Sequence, residues 1–139
     1  MKRIGIIVLI IFSSCLTSCL NDDDGIIFSY ERVPIERVDI PGQFTRGETY
    51  KITVFYFRPS DCHSFSGFDY DRVSNERTVS VVNVVVQDRM CEDLAETDLI
   101  DPQINFFVGS EDSYIFRFWQ GTNDQGENQF LIVEVPVVE

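Results

Sequence analysis

From Thr49 to Phe57 every second residue is apolar, with Tyr50, Ile52, Val54 and Tyr56 separated by Lys51, Thr53 and Phe55. Successive side chains of an extended chain point to opposite faces, so this spacing buries one face only if the segment is a strand. The same period runs through Arg77–Asp88, where Val79, Val81 and Val85 interleave with Val82, Val84 and Val86. Apolar residues on both faces imply a central strand covered from both sides. No segment after residue 25 sustains a helical period. The domain therefore reads as all-β.

Turn chemistry divides the rest. A first strand, or a pair of short ones, is expected over Ile26–Tyr30 and Val33–Ile40, ended by Pro41-Gly42. Thr49–Phe57 stops at Arg58-Pro59-Ser60-Asp61, and a weak strand is expected at Phe65–Tyr70 around Gly67. Ile104–Val108 and Tyr114–Trp119 read as a hairpin about Gly109-Ser110-Glu111-Asp112. Phe130–Val138 follows the polar loop Gly121–Asn128. The acidic stretch Cys91–Asp101 is the one place suited to a short helical turn. About seven strands in about 110 residues fit a small immunoglobulin-like β-sandwich formed by residues 26–139. An up-and-down β-barrel is the alternative. Trp119 lies after both later cysteines rather than between them, so the likeness is to an architecture and not to antibody domains.

The amino terminus carries a different message. Met1-Lys2-Arg3 precedes an apolar run from Ile4 to Phe12 that continues through Ser13-Ser14-Cys15 to Leu16. That run is shorter than the ~20 residues needed to span a bilayer as a helix, and it ends in small polar residues, as a cleavable signal peptide does. The sequence Leu16-Thr17-Ser18-Cys19 resembles the lipobox of bacterial lipoproteins, and the resemblance covers the first 24 residues. It implies removal of residues 1–18 and a covalent lipid on Cys19, with residues 19–25 as an acidic tether to the membrane. Cys15 fits less well, because Phe12 stands where the motif has a Leu-like residue. Leu20 follows the cysteine where an Asp would mark inner-membrane retention, so the resemblance favours the outer membrane. Asp22, Asp23 and Asp24 resemble the export signal of surface-displayed lipoproteins in Bacteroidota; a solvated spacer is the plainer reading.

Loss of residues 1–18 removes Lys2 and Arg3 and no acid, so the formal charge moves from −12 to −14. Such a chain repels nucleic acid and anionic headgroups. Its twelve Phe and five Tyr supply too much apolar surface for a disordered chain. Processing would also leave Cys62 and Cys91 as the remaining cysteines in an oxidising compartment. That favours a disulfide over two free thiols.

Catalytic and metal constellations are thin. His63 is the single histidine, so any histidine-dependent triad must use it. Cys62 beside it points to the opposite face of an extended chain and is expected in the disulfide. Ser64-Phe65-Ser66-Gly67 lacks the nucleophile-elbow pattern. Zinc would find only Cys62, His63 and Cys91. Calcium is the better match to an acidic domain, yet Thr122–Asn128 misses the spacing of a calcium loop and reads as a hairpin turn. No cofactor beyond the lipid is implied.

Aromatic excess is the strongest binding feature. If Tyr50, Ile52, Val54 and Tyr56 face the core, Phe55 and Phe57 face outward. If Tyr114, Phe116 and Phe118 face in, Arg117 and Trp119 face out. Were the two strands neighbours, Phe55, Phe57, Arg117 and Trp119 would form one exposed patch suited to a protein or a glycan. The sequence as a whole reads as a lipid-anchored, non-catalytic binding or structural module of the cell envelope. An accessory or inhibitor of an envelope hydrolase and a calcium-dependent structural domain are the alternatives.

Overall fold

The computed structural model describes residues 25–87 and 89–139, and the lipobox with Cys19 lies outside them. Two sheets pack face to face as a β-sandwich, without closing into a barrel. Among the described residues there are ten strands and no helix. The excess over seven comes from pieces of two or three residues, too short to show alternation.

The larger sheet is built on β6 (Glu76–Val86). Along one side lies β5 (His63–Val73), its antiparallel hairpin partner through the turn Ser74-Asn75. Along the other side β6 pairs first with β9 (Ser113–Thr122), in parallel, and then with β1 (Phe28–Val33), antiparallel. β6 is thus the central strand its valines foretold, but it is not covered from both sides: among the described residues no further layer lies over its outer face, and Val82, Val84 and Val86 there are only half-buried. β10 (Asn128–Val138) forms a hairpin with β9 and ends beside β3 (Phe44–Thr45). The smaller sheet centres on β4 (Thr49–Phe57), with β2 (Arg37–Asp39) on one edge. Its other edge holds β8 (Gln103–Phe107) and β7 (Leu99–Ile100).

Two expectations fail. Ile104–Val108 and Tyr114–Trp119 are not a hairpin, because β8 pairs with β4 while β9 pairs with β6 and β10. The intervening loop carries the chain from one sheet to the other. The Gly109 N–H donates to the Tyr114 hydroxyl at 2.8 Å there, and a side chain at 109 would meet that oxygen at 3.0 Å. The acidic stretch Cys91–Asp101 forms a turn rather than a helix. Ala95 and Glu96 both take positive φ, 44° and 58°, and Asp93 Oδ1 accepts the Ala95 N–H at 2.8 Å. Paired left-handed residues make a tight reversal that a helix cannot contain.

The core is aromatic. Tyr50, Ile52, Val54 and Tyr56 of β4 point inward, as do Tyr114, Phe116 and Phe118 of β9. Phe44 is fully buried, with ring centroids 4.9 Å from Tyr50, 5.3 Å from Phe106 and 6.1 Å from Phe116. Arg46, just beyond it, ties the end of the sandwich together. Its guanidinium donates to Gly109 O and pairs with Asp112 and Glu139.

One polar link crosses the core. The Tyr56 hydroxyl donates to Asn83 Oδ1 at 3.0 Å, while Asn83 Nδ2 has no partner. Burial raises the Tyr56 pKa above its ordinary value. A tyrosine held neutral in the fold binds its proton more tightly than in the unfolded chain. Its stabilisation is therefore complete below about pH 10 and is lost as pH rises through the folded value. Tyr56→Phe should cost about 1–3 kcal/mol at neutral pH, because Asn83 loses its partner. It should also flatten the fall in stability above pH 10, as read by urea denaturation across pH 7–12.

Candidate functional site

The residues proposed for the outward patch do not meet. Phe55 and Phe57 lie on the outer face of the smaller sheet, half-buried, with the Arg37 guanidinium 3.5 Å from the Phe55 ring centroid. Arg117 and Trp119 lie on the outer face of the larger sheet. The core separates the two pairs. Trp119 points outward as expected but is only 8 % exposed. Arg32 covers its ring at 4.5 Å, and its Nε1–H donates to Asn128 Oδ1 at 2.9 Å. Arg117 likewise lies 4.6 Å from the Phe130 ring. Arginines close over the aromatic rings and hide much of the surface that a patch would have offered.

Cys62 and Cys91 are joined, with Cα atoms 5.5 Å apart. Asp61 is near both sulfurs, yet a disulfide has no thiolate to give a metal. In the loop after β9, Asn123 Oδ1 accepts the N–H groups of Gln125 and Glu127, and Asn123 Nδ2 donates to Glu127 Oε2. Two of the oxygens that suggested calcium, Asn123 Oδ1 and Glu127 Oε2, are engaged within the turn.

His63 has partners that sequence reading did not assign. Its Nδ1 lies 2.7 Å from Ser60 Oγ and its Nε2 lies 3.4 Å from Glu31 Oε2, which comes from β1. A hydroxyl, an imidazole and a carboxylate in that order are the parts of a nucleophilic relay. Here Ser60 Oγ also accepts the Cys62 N–H at 3.3 Å, and the His63 N–H donates to Ser60 O at 3.1 Å. The network locks the turn that delivers Cys62 to Cys91.

Among the described residues, a groove shaped for a ligand lies elsewhere. β5 is longer than the smaller sheet can cover, so its inward rings reach past the edge of β8. Between them lies an open groove of about 660 Å³, lined by Phe68, Tyr70, Arg72 and Arg77 from the hairpin and by Asn105 and Phe107 at its rim. Its wall is largely apolar, a few polar groups converge, and it opens to solvent, as ligand clefts commonly do. Burial raises the pKa of the Tyr70 hydroxyl, and the nearby Arg77 guanidinium opposes that shift. Sequence reading placed Phe68 and Tyr70 on a strand but did not connect them with residues 104–107. Strand alternation names the face of a residue, not the sheet opposite it.

No protein-family model, curated protein or solved structure matches the chain. Fold and groove together define the class: a disulfide-linked β-sandwich with a cleft along one open side.

The disulfide spans a separation of 29 residues and encloses the whole β5–β6 hairpin. Cys62→Ala combined with Cys91→Ala should lower stability by about 3–4 kcal/mol, the loop-closure entropy restored to the unfolded chain. Denaturant unfolding of the double variant against the oxidised parent measures it. A change below 1 kcal/mol would contradict the entropic account.

Proposed function

We propose that the protein is a lipid-anchored envelope protein whose sandwich is a non-catalytic binding module, with the groove between β5 and β8 as its binding site. The observation that carries this reading is the groove itself, where the hairpin leaves aromatic rings and arginines facing a cleft rather than the core. The anchor rests on Leu16-Thr17-Ser18-Cys19 and on the acidic tether that separates it from β1. A short charged tether would hold the groove near the membrane while leaving the sandwich free to turn.

Anchoring is tested in cells expressing the full chain. Metabolic labelling with a fatty-acid analogue should mark the parent, and Cys19→Ser should lose both the label and the membrane fraction. Persistence of the label in that variant would place the lipid elsewhere. Protease shaving of intact cells then reports the side on which the domain lies. Cleavage is expected if the tether acts as an export signal, and protection would assign the domain to the periplasm.

A second reading, a hydrolase with Ser60 as nucleophile, has one observation in its favour: the Ser60–His63–Glu31 chain. Ser60→Ala decides between them. The binding reading expects hydrolysis of a p-nitrophenyl ester panel to be the same in parent and variant, and no faster than in buffer. A parent rate that Ser60→Ala abolishes would establish catalysis instead.

A further inference from the structure

Arg77 is only 7 % exposed, yet among the described residues it has no carboxylate within ion-pair distance. Two hydrogen bonds leave from Nη1, to Ser74 O at 2.8 Å and Glu76 O at 2.7 Å, and the Tyr70 hydroxyl lies beside the guanidinium. The guanidinium carbon lies 4.9 Å from the Tyr114 ring centroid. A buried cation without a counter-ion is costly. Directly across the hairpin stands Arg72, its register partner, and both line the groove. Like charges placed opposite each other on a sheet face repel.

Acids are not scarce in a chain with 23 of them. Arg46, Arg58 and Arg89 each pair with a carboxylate. Arg32, Arg37 and Arg117 lie over aromatic rings on the outer faces. Among the described residues, only at the groove are two arginines set side by side without an anion.

We infer that the groove binds a carboxylate carried on a flat, ring-sized body, the carboxylate at Arg77 and Arg72 and the ring against Phe68, Tyr70 and Phe107. This rests on the reading of the groove as the binding site. Because Nη1 is engaged by the backbone, the Nε–Nη2 edge is the side of the fork left for a planar two-oxygen acceptor. The strongly acidic surface repels polyanions, which selects a single carboxylate over a polyphosphate or a nucleic acid. The apolar wall suits the face of an aromatic acid or of a sugar acid, and Asn105 at the rim can serve the hydroxyls of the latter.

The test is isothermal titration of the full chain in non-ionic detergent with four probes: benzoate, glucuronate and their neutral counterparts, benzyl alcohol and methyl glucoside. Saturable binding of a carboxylate, about tenfold or more tighter than its neutral counterpart, is expected. Which acid binds separates the aromatic from the sugar source. Arg72→Gln, at an exposed position, should weaken binding about tenfold without lowering the melting temperature. Arg77→Met should abolish binding with stability unchanged or raised, since a well-packed apolar residue replaces an unpaired buried charge. Neutral probes binding as tightly as the acids would overturn the carboxylate inference and leave the groove as a site. Absence of binding by all four would overturn both. An affinity for the acids that neither arginine substitution changes would also overturn the inference.

Discussion

The structure depends on a mismatch in width between its two sheets. The aromatic core from Phe44 through Phe106, Tyr114 and Phe116 locks the smaller sheet against the middle of the larger one. Beyond that contact, β5 continues without a covering strand. Phe65 and Tyr70 remain about two-fifths exposed although they point to the inner face. A wider second sheet would have buried these rings and paired or excluded the arginines beside them. Because β8 ends the smaller sheet where it does, the apolar face that drives sheet packing also supplies the wall of an open cleft.

Much of the fold was legible because period-two alternation is a local property. β4 spans the residues its alternation marked, and the inward residues of β4 and β9 are those expected. The failures share one cause, which is that pairing between strands is not local. Nothing in Ile104–Val108 and Tyr114–Trp119 states that the loop between them changes sheets, since a four-residue polar turn serves a hairpin or a crossover equally well. Phe44 was hidden for a related reason. It sits between Pro41-Gly42 and Arg46-Gly47, a stretch with turn composition, and its burial follows from the short parallel pairing with β10.

The candidate site was less legible than the fold. Trp119 faces outward as alternation required, but its shielding depends on Arg32, which is remote in sequence. Arg77 opens a valine-rich strand and reads locally as a polar strand end. Its burial comes from Tyr114 and the rings of the neighbouring strand, and its lack of an acid emerges only when the other arginines have been placed. The cysteines were the exception. Cys62 and Cys91 were expected to pair rather than stay as free thiols, and the structure joins them.

The position of the two arginines has a further effect through the unfolded chain. Arg72 and Arg77 stand on either side of a two-residue turn, close in sequence as well as in space. Unfolding cannot carry them far apart, so part of their repulsion persists in the denatured ensemble and cancels from the folding equilibrium. A tight hairpin therefore holds two positive charges together at a smaller cost in stability than the folded contact alone would suggest.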